Sequence, residues 1–74
     1  MKQKREVLIN TRKNKGLTQE ELAAFAGITR AYLANIERGE HAPSLKVAQK
    51  LAGILEKDTD ELFFDINVRK TNII

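Results

Sequence analysis

With 74 residues and no cysteine, the chain is long enough for one small domain, and it can form neither a disulfide nor a thiolate metal site. Its apolar runs are short and broken by charge, which excludes a membrane span, and Met1 to Glu6 lacks the apolar stretch of a secretory signal, so a complete cytoplasmic protein is expected. The net charge of +3 conceals an asymmetry: six of the thirteen basic residues (Lys2, Lys4, Arg5, Arg12, Lys13 and Lys15) fall in the first fifteen positions, opposed only by Glu6.

Such a basic surface suits a polyanion, because neutralised phosphates release condensed counterions, although a solvated helical face has the same composition. In chain order, a first helix is expected from about Lys2 to Lys15, with Val7, Leu8 and Ile9 as its apolar residues and Gly16 as its stop. Thr18-Gln19-Glu20-Glu21 is a capping box, and Leu17 and Leu22 are spaced as a hydrophobic staple around it. The second helix therefore runs from Gln19 to about Ala26 and ends at Gly27. Thr29 caps a third helix that ends near Arg38-Gly39, with Ile28 and Leu33 as its staple. Ser44 starts a fourth, carrying Leu45, Ala48, Leu51, Ala52 and Leu55 at helical spacing. Gly53 interrupts that helix and weakens it by about 1 kcal/mol relative to alanine. Asp58-Thr59-Asp60-Glu61 opens a short fifth helix, its acidic first turn favoured by the helix dipole.

After Phe63 the period changes. Phe64, Ile66 and Val68 alternate with Asp65, Asn67 and Arg69, as in a half-buried strand, and Ile73 and Ile74 add apolar surface. A single strand cannot satisfy its own backbone groups, so this tail is expected either to pair with a second copy of the chain or to fray on its own domain. The expected architecture is all-α: a five-helix domain over residues 1–64 and an extended tail over 65–74.

Residues 19–38 form a unit with several independent requirements. Ala23 and Ala26 are small enough for two helices to cross, Gly27 tolerates a left-handed turn, and Ile28, Leu33 and Ile36 point inward. Arg30, Ala31, Ala34, Asn35 and Arg38 are left facing outward. The segment resembles the Cro and phage-repressor type of helix-turn-helix, the xenobiotic-response-element family. The resemblance is carried by Gly16-Leu17-Thr18-Gln19-Glu20-Glu21-Leu22-Ala23, Ala26-Gly27-Ile28-Thr29, Tyr32-Leu33, Ile36-Glu37-Arg38-Gly39 and Pro43-Ser44-Leu45, and it covers roughly residues 5–64. One departure is Thr11, where relatives usually carry leucine.

The resemblance implies a repressor-like DNA-binding domain whose third helix, residues 29–38, enters the major groove. It implies base contacts from Arg30, Ala31 and Asn35, and phosphate contacts from Arg12, Gln19, Thr29, Tyr32, Arg38 and His41. It also implies that Arg12 and Glu37 pair to link the first and third helices, although a surface ion pair of little consequence is the plainer alternative. Arginine can donate twice to guanine, asparagine can pair with adenine, and Ala31 can only pack on a thymine methyl.

Catalysis is not expected: His41 is the only histidine, it has no cysteine or obvious nucleophile partner, and Ser44 is explained as a cap. Neither a cofactor nor a metal is expected. The function expected is a transcriptional regulator, a repressor binding a palindromic double-stranded DNA operator as a homodimer, with Phe64, Ile66 and Val68 dimerising. The alternative is an antitoxin or other protein-interaction module on the same fold, its tail gripping a protein partner. A controller of a restriction-modification locus is compatible with size and motif.

Overall fold

Local capping chemistry sets most of the helix boundaries in the computed structural model, which describes residues 4–63. The elements are α1 (Glu6–Asn14), α2 (Gln19–Ala26), α3 (Arg30–Glu37), α4 (Leu45–Leu55) and α5 (Thr59–Phe63). Thr18 accepts from the Glu21 amide at 3.0 Å and donates its own backbone N–H to the Glu21 carboxylate at 2.9 Å, so both halves of the capping box are made. Thr29 and Ser44 accept in the same way from Tyr32 and Val47. Gly27 closes α2 at φ 73°, a left-handed conformation that would strain any residue with a Cβ. At α5 one half of the same arrangement is made, the Asp58 amide donating to the Glu61 side chain.

These helices enclose one core. Leu8, Leu22, Leu33, Ile36, Leu51 and Leu55 are fully buried, and Ala23, Ala26, Ala52 and Leu62 complete the cluster. Each large aliphatic side chain contributes about 1.5–3 kcal/mol through burial. α2 packs on α3 and α4, α4 on α5, and α1 on α3 and α5. The small side chains of Ala23 and Ala26 lie buried where α2 meets its neighbours, as the spacing predicts.

Several details differ from the expected pattern. α1 begins at Glu6, later than the expected start near Lys2, because the Arg5 amide donates to Glu37 O at 2.9 Å and its backbone takes a non-helical conformation. Val7 and Leu45 lie on the solvent side, 49% and 70% exposed, so neither belongs to the core. Thr11 is buried nonetheless. α4 ends on Glu56 in the left-handed conformation, φ 59°, where no glycine signals a stop. The strand expected at Phe64, Ile66 and Val68, with Ile73 and Ile74 beyond it, lies outside the described residues.

Candidate nucleic-acid interface

Helix α3 has a buried face and an open one. Leu33, Ile36 and Glu37 are buried, Arg30, Ala31 and Arg38 are exposed, and Ala34 and Asn35 lie between. With 3.6 residues per turn, the inward pair Leu33 and Ile36 fixes the rotation of the helix about its axis, and Arg30, Ala31 and Asn35 are thereby turned toward solvent. The three expected base-reading residues thus share a surface, and the burial of their neighbours holds it in place.

A buried charge pair anchors that surface. Arg12 Nε donates to Glu37 Oε2 at 2.7 Å and Arg12 Nη2 to Oε1 at 3.2 Å, while Nη1 donates to Leu17 O at 2.8 Å. The two side chains are 10% and 4% exposed, so this is no surface ion pair. The fork of a guanidinium matches a carboxylate in two places, which fixes both distance and orientation between α1 and α3. Three of the five N–H groups on Arg12 are committed to these contacts. Its principal structural role is therefore to anchor α3.

The pair extends outward. Gln19 Nε2 donates to Glu37 Oε1 at 2.8 Å, and Gln19 Oε1 accepts from Arg30 Nη1 at 3.2 Å. The amide of Gln19 is held from both sides in a single orientation, because a carboxylate only accepts and a guanidinium only donates. A chain of contacts thus runs from buried Arg12 through Glu37 and Gln19 to exposed Arg30. Around it lies an open notch of about 430 Å³ lined by Arg12, Leu17, Thr18, Gln19, Glu20 and Arg30. The α2 amides at Gln19 and Glu20, at the positive end of that helix dipole, begin beside the same notch.

The remaining candidates surround α3. The Thr29 hydroxyl oxygen is engaged as the N-cap, leaving its proton to donate elsewhere. Tyr32 is half-buried and packs on the core. Arg38 Nη2 donates to Asn35 Oδ1 on the open face. His41 is exposed in the loop after α3, where the backbone amides of Glu40 and His41 both donate to Asn35 O.

Arg5 is the residue that pattern reasoning passed over. Its Nε donates to Ile36 O at 3.1 Å, Nη1 to Phe63 O and Nη2 to His41 O, both at 3.4 Å. The guanidinium also lies 5.5 Å from the centre of the Phe63 ring. Its partners are backbone carbonyls, which every residue has, so no spacing of side chains could have announced it.

Two short helices joined by a glycine turn, the second with a buried seam and a polar open face, define a helix-turn-helix domain. The chain belongs to the helix-turn-helix family, whose model matches residues 8–62. An HTH-type transcriptional regulator of Methanothermobacter thermautotrophicus is 43% identical over 53 residues, covering 72% of this chain and 77% of that protein. The structure of the restriction-modification controller protein C.AhdI from Aeromonas hydrophila superposes with a TM-score of 0.72 at 41% identity, over 78% of this chain and 88% of that one. The N-terminal DNA-binding domain of SinR from Bacillus subtilis gives a TM-score of 0.71 at 33% identity, over 77% and 84%.

Proposed function

We propose that this chain is a sequence-specific transcriptional regulator that binds double-stranded DNA, a repressor acting as a homodimer on a palindromic operator. The observation that carries the reading is the open face of α3: Arg30, Ala31 and Asn35 sit together on a helix whose rotation is set by buried Leu33 and Ile36 and by the Glu37–Arg12 pair. Family membership and relatives named as regulators, a controller and a DNA-binding domain support it. Arg30, Ala31 and Asn35 read base edges in the major groove, while Thr29, Tyr32, Arg38, His41, the Gln19 amide and the outer edge of Arg12 hold phosphates. The role is binding and not catalysis. No helix among the described residues is long and apolar enough to cross a membrane, and a cytoplasmic site of action belongs to the same proposal.

Dimerisation rests on a physical argument. One helix reads only a few base pairs, and two half-sites about one helical turn apart supply the missing affinity and specificity. The alternative, a protein-interaction module, is favoured by one feature: an apolar recess of about 200 Å³ lined by Arg5, Ala42, Pro43, Leu45, Ala48, Thr59 and Phe63. Titrating a selected duplex by fluorescence anisotropy at rising salt separates the two. Binding that falls steeply, with a slope near −0.9 per phosphate contact, supports the operator reading; a flat response or no binding removes it.

A further inference from the structure

The open face of α3 differs from the expected one in a detail that decides which base it can read. An asparagine recognises adenine by two bonds at once, its oxygen accepting from N6 and its nitrogen donating to N7. Here Arg38 Nη2 donates to the Asn35 side chain. A guanidinium has no acceptor, so the atom facing it is the amide oxygen, and the NH2 group of Asn35 is the part left for DNA. Arg30 can only donate, its Nη1 is held by Gln19, and Ala31 offers no polar atom.

Resting on the DNA-binding reading above, we propose that the α3 face is a donor-only surface that selects guanine, not adenine, opposite Asn35 in each half-site, with Arg38 as the positioning residue. Guanine is the base whose major-groove edge offers two acceptors, O6 and N7, and no donor. The Asn35 amide can donate to one of them while the remaining N–H groups of Arg38 add positive potential on the same side. Adenine and cytosine would each bring an amino group toward this donor face. A second donor at Asn35 Oδ1, such as the adenine N6 amino group, would approach the cationic Arg38 guanidinium, which disfavours adenine there. Arg30, one turn nearer the helix start, favours guanine for the same reason. The expected half-site is therefore guanine-rich on the strand that α3 reads.

The test is selection of bound sequences from a random duplex library with the full chain, run in parallel for the native protein, Asn35→Ala, Arg38→Met and Arg38→Lys. Arg38 is exposed at the end of α3, so its replacement leaves the core intact. The native protein is expected to enrich guanine at a position that Asn35→Ala relaxes by about tenfold. Arg38→Met, which frees the amide oxygen, is expected to shift that position toward adenine, and Arg38→Lys, which can still donate to the oxygen, to keep guanine. Adenine or thymine at that position with the native protein, no position relaxed by Asn35→Ala, or an unchanged preference in Arg38→Met would each overturn the proposal without bearing on the DNA-binding reading itself. Failure of the native protein to enrich any duplex would instead overturn the DNA-binding reading on which it rests.

Discussion

Two arginines reach the last turn of α3 from opposite ends of α1, and they hold it in different ways. Arg12, in the final turn of α1, grips the Glu37 carboxylate in a buried fork; Arg5, at the N-cap, grips the carbonyls of Ile36, His41 and Phe63. The first partner is a full charge, paired with the Arg12 guanidinium. The second set consists of partial charges at the ends of α3 and α5 and in the loop between α3 and α4, where water can substitute at the half-exposed edge. One contact thus fixes the orientation of the open face and extends through Gln19 to Arg30; the other ties down the end of the domain away from that notch.

The largest effect expected from this difference is at Glu37. Replacing it with alanine leaves a buried, unpaired guanidinium and should cost about 3–5 kcal/mol in urea unfolding, a large share of the stability of so small a domain. A double variant, Arg12→Met with Glu37→Met, should recover much of that loss, because it removes both buried charges at similar volume. A single-variant cost below about 1 kcal/mol would show that the pair anchors nothing.

Arg5→Met should cost less, about 1–2 kcal/mol, since the abandoned carbonyls are neutral and partly reachable by water. Its selected DNA sequence should match that of the native protein. A changed base preference would mean that the two arginines do not divide their work as described.

The smallest effect belongs to a contact with neither burial nor a bidentate fork. Lys15 Nζ lies 2.7 Å from Glu56 Oε1 at the exposed end of α4. The hydrogen bond from Lys15, and after it the charge, holds the Glu56 carboxyl below the usual carboxylate range. A depressed folded-state value means that the contact contributes above the ordinary carboxylate range and is lost as pH falls through the folded value. Lys15→Met should return the Glu56 titration, followed by NMR, to the ordinary range, with little change in the melting temperature at neutral pH. An unmoved titration would break the assignment.

Much of the fold was legible because its signals are local. Thr18, Thr29 and Ser44 act within three residues of themselves, and Gly27 answers a demand of its own backbone. The apolar spacing of Leu22, Leu33, Ile36, Leu51 and Leu55 indicated the buried seam for the same reason. Pattern failed where a residue's neighbours come from elsewhere in the chain. Leu45 keeps the helical period of α4 yet faces solvent, and Glu56 adopts the left-handed conformation with no glycine to announce it. Among the expected site residues, the placement of Arg30 and Asn35 on one face followed from helical spacing, but their hydrogen-bonding state did not.

The sequence by itself determined five helices, the caps at Thr18, Thr29, Ser44 and Gly27, and the identity of the residues on the open face of α3, because each depends on contacts along one helix or one turn. Only the tertiary structure decided that Arg12 is buried against Glu37, that Gln19 is locked between Glu37 and Arg30, and that Arg5 joins three distant carbonyls. Each of those contacts joins different helices or loops, so its geometry exists only once the core has set their separation. The donor-only character of the Asn35 side chain lies between the two: its partner Arg38 is one turn away in sequence, yet a choice of rotamer on the folded helix decides whether they meet.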